Sequence, residues 1–223
     1  MPALVRSRPE AAALRYAALG WAVLPLHVPT STGGCSCARP DCAKPGKHPR
    51  NRRGVHDASS RAQTIRRWWA RWPDANLGVA TGPLLIVIDV DGTDGSESLR
   101  ALEADHEPLP ATLEALTGRG RHLYFAAPAE PLANSAGRLG EGIDVRGHGG
   151  YVVAPPSRHA AGHHYRWRAR RRPVTLPDWI TQLATLGAQH PQVLRLIPPL
   201  TTALITAPKP PLQSPARRTG EKG

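Results

Sequence analysis

The sequence predicts an α+β domain whose core is a mixed or antiparallel β-sheet flanked by helices. Three observations lead there. Helical periodicity is concentrated ahead of residue 105 and returns only near residue 176. From Ala111 onward, short β-type segments follow one another between Gly, Pro and Asn punctuation. Between these regions "LLIVID", Leu84–Asp89, is the continuous apolar run of a fully buried strand. Helices early and a run of short strands later give α+β rather than alternating units.

Taken in order, Pro9–Leu19 is an amphipathic helix with Ala13, Leu14, Ala17 and Ala18 on one face. "WAVLPLH" is a strand, and its Pro25 places it at an edge or a strand end. Residues 30–54 have almost no apolar periodicity, and so long a loop in a compact domain is functional or is held by something. "SSRAQTIRRWWARWPDA" is a helix capped by Ser59 or Ser60 and stopped by Pro73, with Ile65, Trp68, Trp69 and Trp72 as its apolar stripe; helical spacing makes the tryptophans core-facing, with base stacking the alternative. "LGVATG" and "LLIVID" read as adjacent strands, and Asp94 or Ser96 caps a helix reaching about Asp105. The β-rich half then supplies "ATLEALT", "RHLYFAA", "GIDVRG", "YVVAPP" and "HYRWRA", and "LPDWITQLATL" closes the domain as a helix. One domain is expected over residues 9–190, with the loop at about 30–54 inserted in it. Residues 197–223, rich in Pro, Thr, Lys and Arg, are expected to form a disordered basic tail.

At 223 residues and 40% apolar composition the chain can bury one substantial core. No apolar run approaches the roughly 20 residues that span a bilayer, and the N-terminus reads as no export signal, so a cytoplasmic location without membrane contact is expected. The net charge of +12 favours a polyanionic partner, nucleic acid first. Of the 29 basic residues 25 are Arg, a skew that GC-rich coding also produces, so charge alone does not decide the partner.

Three cysteines argue against a secreted disulfide framework, and all three fall within eight positions. "CSCARPDCAKPGKHP" sets Cys35, Cys37, Cys42 and His48 within fourteen residues, a closed tetrahedral zinc set. Pro40, Pro45 and Gly46 bend the chain so the side chains can converge, and metal ligation offsets the loop's ordering entropy. His56 lies near enough to compete with His48 as fourth ligand. A closed site makes the zinc structural.

"VIDVDGT" admits three readings. Asp91-Gly92 can be a simple turn with Asp89 a cap. Asp-x-Asp-Gly-Thr is also the nucleophile motif of haloacid dehalogenase-type phosphatases, which open their domain with this strand and need a downstream lysine. Here 88 residues precede Asp89 and no lysine occurs between Lys47 and Lys209. In the third reading Asp89 and Asp91, two apart on a strand and so on one face, bind hard divalent cations, Mg²⁺ or Mn²⁺. Asp144 in "GIDVRG" offers the third acid, since a carboxylate central in a strand is otherwise costly. His122 opens a strand after the Gly-rich turn "TGRG", and Arg146 shares a strand face with Asp144. Together they suit a triphosphate.

The order Cys-x-Cys-x₄-Cys-x₅-His, "VIDVDG", "TGRGRHLYF", "GIDVRGHGGYVVAPPS", "HYRW" resembles the bifunctional DNA primase/polymerase domain of the archaeo-eukaryotic primase superfamily, over roughly Ala11 to Leu186. The resemblance implies a primase/polymerase-like fold and a template-directed nucleotidyltransferase working in DNA replication or repair on nucleoside triphosphates and a single-stranded or primed DNA template. It implies Asp89, Asp91 and Asp144 as the ligands of the catalytic Mg²⁺ or Mn²⁺, and His122 on the triphosphate beside Arg146 and Arg121. Many superfamily members have Ser where this chain has Gly120, leaving only a backbone N–H to meet a phosphate. Larger relatives carry a helicase after this domain, so a helicase is expected here to be a separate protein or absent. Template contact is expected from Arg66, Arg67 and Arg71 or from the denser "RWRARRRP", Arg166–Pro173. Asn76 and Ser157 sit beside motifs, in nucleotide contact or as caps and turns, and His163 and His164 form a solvated turn. A non-catalytic zinc-containing nucleic-acid binder would keep the cysteines and the charge while leaving the acids structural.

Overall fold

In this computed structural model residues 9–189 are described; the tail expected from residue 197 lies outside them. Helix α1 (Pro9–Ala18) leads to strand β1 (Val23–Leu26), then a long loop and a 3₁₀ turn at Gly54–Asp57. Helix α2 (Ala62–Arg71), β2 (Asn76–Ala80), β3 (Leu85–Val90) and α3 (Gly92–Asp105) follow. The second half is β4 (Leu113–Leu116), β5 (Arg121–Ala126), β6 (Ser135–Ala136), β7 (Ile143–Arg146), β8 (Tyr151–Ala154), β9 (Arg166–Ala169) and α4 (Asp178–Gln189). The α+β class is as expected, and all the named strand pairs are antiparallel.

The strands form two sheets: one of three, in the order β1-β2-β8, and one of six, in the order β6-β7-β3-β5-β4-β9. Strands β2 and β3, consecutive in the chain, therefore do not pair. The Thr81-Gly82 turn, with Gly82 at φ +139°, carries the chain from one sheet to the other. Strand β3 lies inside the larger sheet and is covered on both faces, which is why it reads as an unbroken apolar run. Leu85 and Val87 join Tyr124, Val79, Trp69, Ile65 and α1 in one core, while Ile86, Ile88 and Val90 join Phe125, Ile143, Leu99 and Ile180 in the other.

Helix α2 starts at Ala62 with Arg61 at its N-cap and no side-chain cap bond, so neither Ser59 nor Ser60 caps it; Ser59 Oγ instead accepts from Arg61 N, fixing the turn before it. Its Ile65 and Trp69 are fully buried, and Trp68 and Trp72 pack half-buried against the same core. Helix α3 begins at Gly92, earlier than a cap at Asp94 or Ser96 would allow, because the chain leaves β3 directly into the helix through Asp91. No helix among the described residues is long and apolar enough to cross a membrane.

Candidate functional site

Asp89 continues the Leu85–Val87 row on β3 past the edge of the core. In register it stands opposite His122 of β5 on one side and Asp144 of β7 on the other. Directly opposed residues of an antiparallel sheet share a face. Three strands thus present His122, Asp89 and Asp144 as one transverse row, two of them acids brought together from 55 residues apart.

The row is tightly knit. His122 Nε2 lies 3.3 Å from Asp89 Oδ1. One Arg146 nitrogen donates to Asp144 Oδ2 at 2.6 Å and to Asp89 Oδ2 at 3.4 Å, and the Gly137 N–H donates to Asp144 Oδ1 at 3.0 Å. Burial opposes ionisation of Asp89, but the His122 ring and then the Arg146 guanidinium outweigh it and hold the carboxyl below the usual carboxylate range. His122 is itself buried and its Nδ1 has no partner, so a proton on Nε2, donated to Asp89, satisfies the better-placed nitrogen.

Asp91 occupies the N-cap position of α3 yet makes no side-chain cap bond; its carboxylate pairs with Arg119 at 3.2 Å. Asp89, inside β3, caps no helix, while Asp91-Gly92 does turn the chain into α3, with Gly92 at φ +70°. Asp89, Asp91 and Asp144 all line one cleft of about 770 Å³, together with Tyr151, His159 and Tyr165. Asp89 and Asp144 both converge on the positive charge of Arg146, Asp91 is turned toward Arg119 instead, and the three acids make no compact ligand group among the described residues.

Two expected site residues stand elsewhere. Arg121 precedes His122, so strand alternation sends it to the opposite face, where it lies 3.7 Å from Glu114 and lines a different depression. The Gly120 N–H donates to Thr117 Oγ1 at 3.0 Å and is closed within the β4–β5 turn rather than offered to a phosphate. A Cβ at Gly120 would collide with the Val90 carbonyl, so the Ser of relatives has no room here. The turn supplies Arg119 to the cleft instead, a residue that sequence reading passed over; its only signal was its place at a hairpin tip beside His122.

The inserted loop forms the cleft's remaining edge through Lys44, Pro45 and Lys47. Two lysines thus line the same cleft as the acids, from upstream in the chain. Cys35, Cys37, Cys42 and His48 come together with all ligand atoms within 4.8 Å of one another, a set that can bind zinc; His56 is not part of it. Cys35 Sγ and Cys42 Sγ lie 3.3 and 3.5 Å from His48 Nε2. Burial opposes it, but backbone N–H groups of Gly46 and Cys37 bring the Cys35 thiol down to about 6, favouring the ligating thiolate. His27 stacks on His48 with ring centres 4.4 Å apart and bonds to Ser36 Oγ at 3.0 Å. Burial, then the neighbouring His48 and Arg50, push His27 down to about 4, so it stays neutral beside the set.

Asn76 and Ser157 are structural. Asn76 Nδ2 donates to the Gly46 and Arg158 carbonyls, and Ser157 Oγ accepts from Leu77 N, pinning the loop to the smaller sheet. Gly46, at φ +74°, has Pro29 where a Cβ would lie, so the loop closes tightly only with glycine there. His163 and His164 are exposed in a turn. Arg66, Arg67 and Arg71 are exposed on α2; in the Arg166–Pro173 strip, Arg168 is engaged by Glu114 at 3.2 Å.

None of the curated proteins compared with the chain matches it. A family model described as "Bifunctional DNA primase/polymerase, N-terminal" matches residues 13–179, three quarters of the sequence, and leaves the phosphatase reading of Asp-x-Asp-Gly-Thr without support. The acids, the histidine and the cysteine loop all lie within that span: the chain belongs to the bifunctional DNA primase/polymerase family.

Proposed function

We propose that the chain is a template-directed DNA primase/polymerase that joins nucleotides from nucleoside triphosphates at the Asp89 cleft, in DNA replication or repair. The observation that carries this is the transverse row His122–Asp89–Asp144 with Arg146 bridging its acids. A structural role for the acids would leave such a row closed by neighbours, whereas this one faces a cleft of nucleotide size.

Asp89 and Asp144 would hold the Mg²⁺ or Mn²⁺, and Asp91 would join them on release from Arg119. When bound, the ions would activate the attacking 3′-hydroxyl and neutralise charge on the triphosphate and departing pyrophosphate. His122 orients the Asp89 carboxylate through Nε2. Arg119, Arg146, Lys44 and Lys47 are the cations placed to receive phosphate oxygens, so the cleft's work is positioning and charge neutralisation. The cysteine loop holds a structural zinc and, through Lys44 and Lys47, shapes the cleft wall.

The test is incorporation of labelled nucleotide on primed and primer-free single-stranded templates with Mg²⁺ or Mn²⁺. Wild type should extend or initiate, and Asp89→Asn should lose at least about a hundred-fold in rate, the scale for removing a preorganised electrostatic group. Equal activity in both would sink the proposal. No product from either, with tight strand binding by both, would leave a zinc-containing nucleic-acid binder.

A further inference from the structure

A second concavity, of about 680 Å³, shares no lining residue with the Asp89 cleft. Its walls are the loop's exit segment and the outer face of α2. Six arginines line it, Arg50, Arg52, Arg53, Arg61, Arg67 and Arg71, against one carboxylate, Asp57, already bound by Arg53 at 2.8 Å. No carboxylate among the described residues lies within 4 Å of Arg52, Arg61, Arg67 or Arg71.

Two half-buried indoles share that surface. Trp68 and Trp72 are four apart and follow Arg67 and Arg71, so α2 presents two adjacent Arg-Trp steps to the groove. The guanidinium carbons of Arg71 and Arg50 lie 5.0 and 5.6 Å from the centre of the Trp72 ring. Arg50 is held further by its bonds to the Leu26 carbonyl and Ser36 Oγ. The result is a fixed cationic and aromatic platform. A solvated helix face needs neither a concave wall, nor six cations to one anion, nor aromatic rings at its rim.

We infer that this groove binds a single-stranded nucleic acid, its phosphates on Arg52, Arg61, Arg67 and Arg71 and its bases against the Trp68 edge and the Arg–Trp72 stack. Positively charged channels with aromatic and guanidinium stacking surfaces are how unpaired strands are held without regard to sequence. Position adds a second argument. Lys47 edges the acidic cleft and Arg50 the groove, three residues apart and so no more than about 11 Å along the chain. The groove and the acidic cleft thus border the same stretch of loop. The strand's role as template rests on the polymerase reading; its binding does not.

The test is fluorescence anisotropy of the zinc-loaded full chain with labelled oligothymidylate of about 15 nucleotides, a length covering one such site, and with a duplex of equal length. Arg67→Glu/Arg71→Glu, both exposed, should weaken single-strand binding at least tenfold. The slope of log affinity against log salt should become shallower by about 1.4, roughly 0.7 for each phosphate that the variant no longer neutralises on a single strand. Arg67→Gln/Arg71→Gln should fall between this variant and wild type, and Arg100→Glu, an exposed charge reversal on α3, should bind as wild type does. Unchanged affinity and slope in both groove variants would overturn the inference, as would duplex binding as tight as single-strand binding. Asp89→Asn separates the two proposals. Strand binding abolished in the groove variants but kept by Asp89→Asn supports the groove whatever incorporation does; incorporation abolished only in Asp89→Asn, with the groove variants binding normally, leaves the cleft and removes the groove.

Discussion

The acid row and the cysteine loop are neighbours that hold their side chains by opposite means. Asp89, His122 and Asp144 stand on three strands whose apolar neighbours are buried on both sheet faces, so backbone register sets the spacing of the row. The loop from Pro29 to Arg53 buries only Pro29, Cys35 and Gly46; its order comes from four converging ligands and a few bonds to β1, β2 and β8. One site depends on the core, the other on chemistry within the loop. The cleft needs both, since its acids come from the sheet and its lysines from the loop.

The largest effect that would break this contrast concerns the metal. Chelation, or Cys37→Ser, should abolish zinc binding and expose the amides of residues 30–53 to fast hydrogen exchange, while amides of β3 and β5 stay protected. Global loss of protection would show that the loop supports the core after all. Next in size, Gly120→Ser should destabilise the domain by about 1–3 kcal/mol in denaturant unfolding, the usual cost of forcing atoms into a packed site, here against the Val90 carbonyl. A neutral result would mean that the β4–β5 turn yields easily.

A smaller effect sharpens the electrostatics of the row. The Asp89 carboxyl is depressed on folding, so its ionised form adds stability above its unfolded value near about 3.9, and that stability is lost as pH falls through the lower folded value. Arg146→Met removes one of the depressing charges. The acid limb of the stability curve should then move to higher pH, read from urea midpoints between about pH 2 and 6. An unmoved limb would assign the depression to His122 alone. Smallest of all, Arg121→Gln should change nucleotide incorporation less than about two-fold and stability by under about 1 kcal/mol, because it ends an ion pair on the face away from the cleft. A large loss of activity would place Arg121 in the reaction.

How far the sequence carried depended on the range of each interaction. The ligand set Cys35, Cys37, Cys42 and His48 was legible because it closes within fourteen residues, where spacing alone constrains geometry. His56, the competing fourth ligand, lies in the 3₁₀ turn outside the set. The shared face of Asp144 and Arg146 followed from strand alternation, and the same rule, applied to Arg121 beside His122, would have moved Arg121 away from the phosphates. The cap expected at Ser59 or Ser60 and the late start of α3 failed at element ends, where one tertiary bond outweighs local propensity.

By itself the sequence determined that this protein has a β-rich core with one doubly buried strand ending in two acids on one face, and a metal-ready loop. These follow from periods of two and 3.6 residues and from ligand chemistry, all local. Only the tertiary structure decided that Asp144 and His122 stand opposite Asp89, that β2 and β3 part into two sheets, and that six arginines gather around Trp68 and Trp72. Those outcomes depend on antiparallel register and on which faces are buried together, and both are set by contacts between residues far apart in the chain.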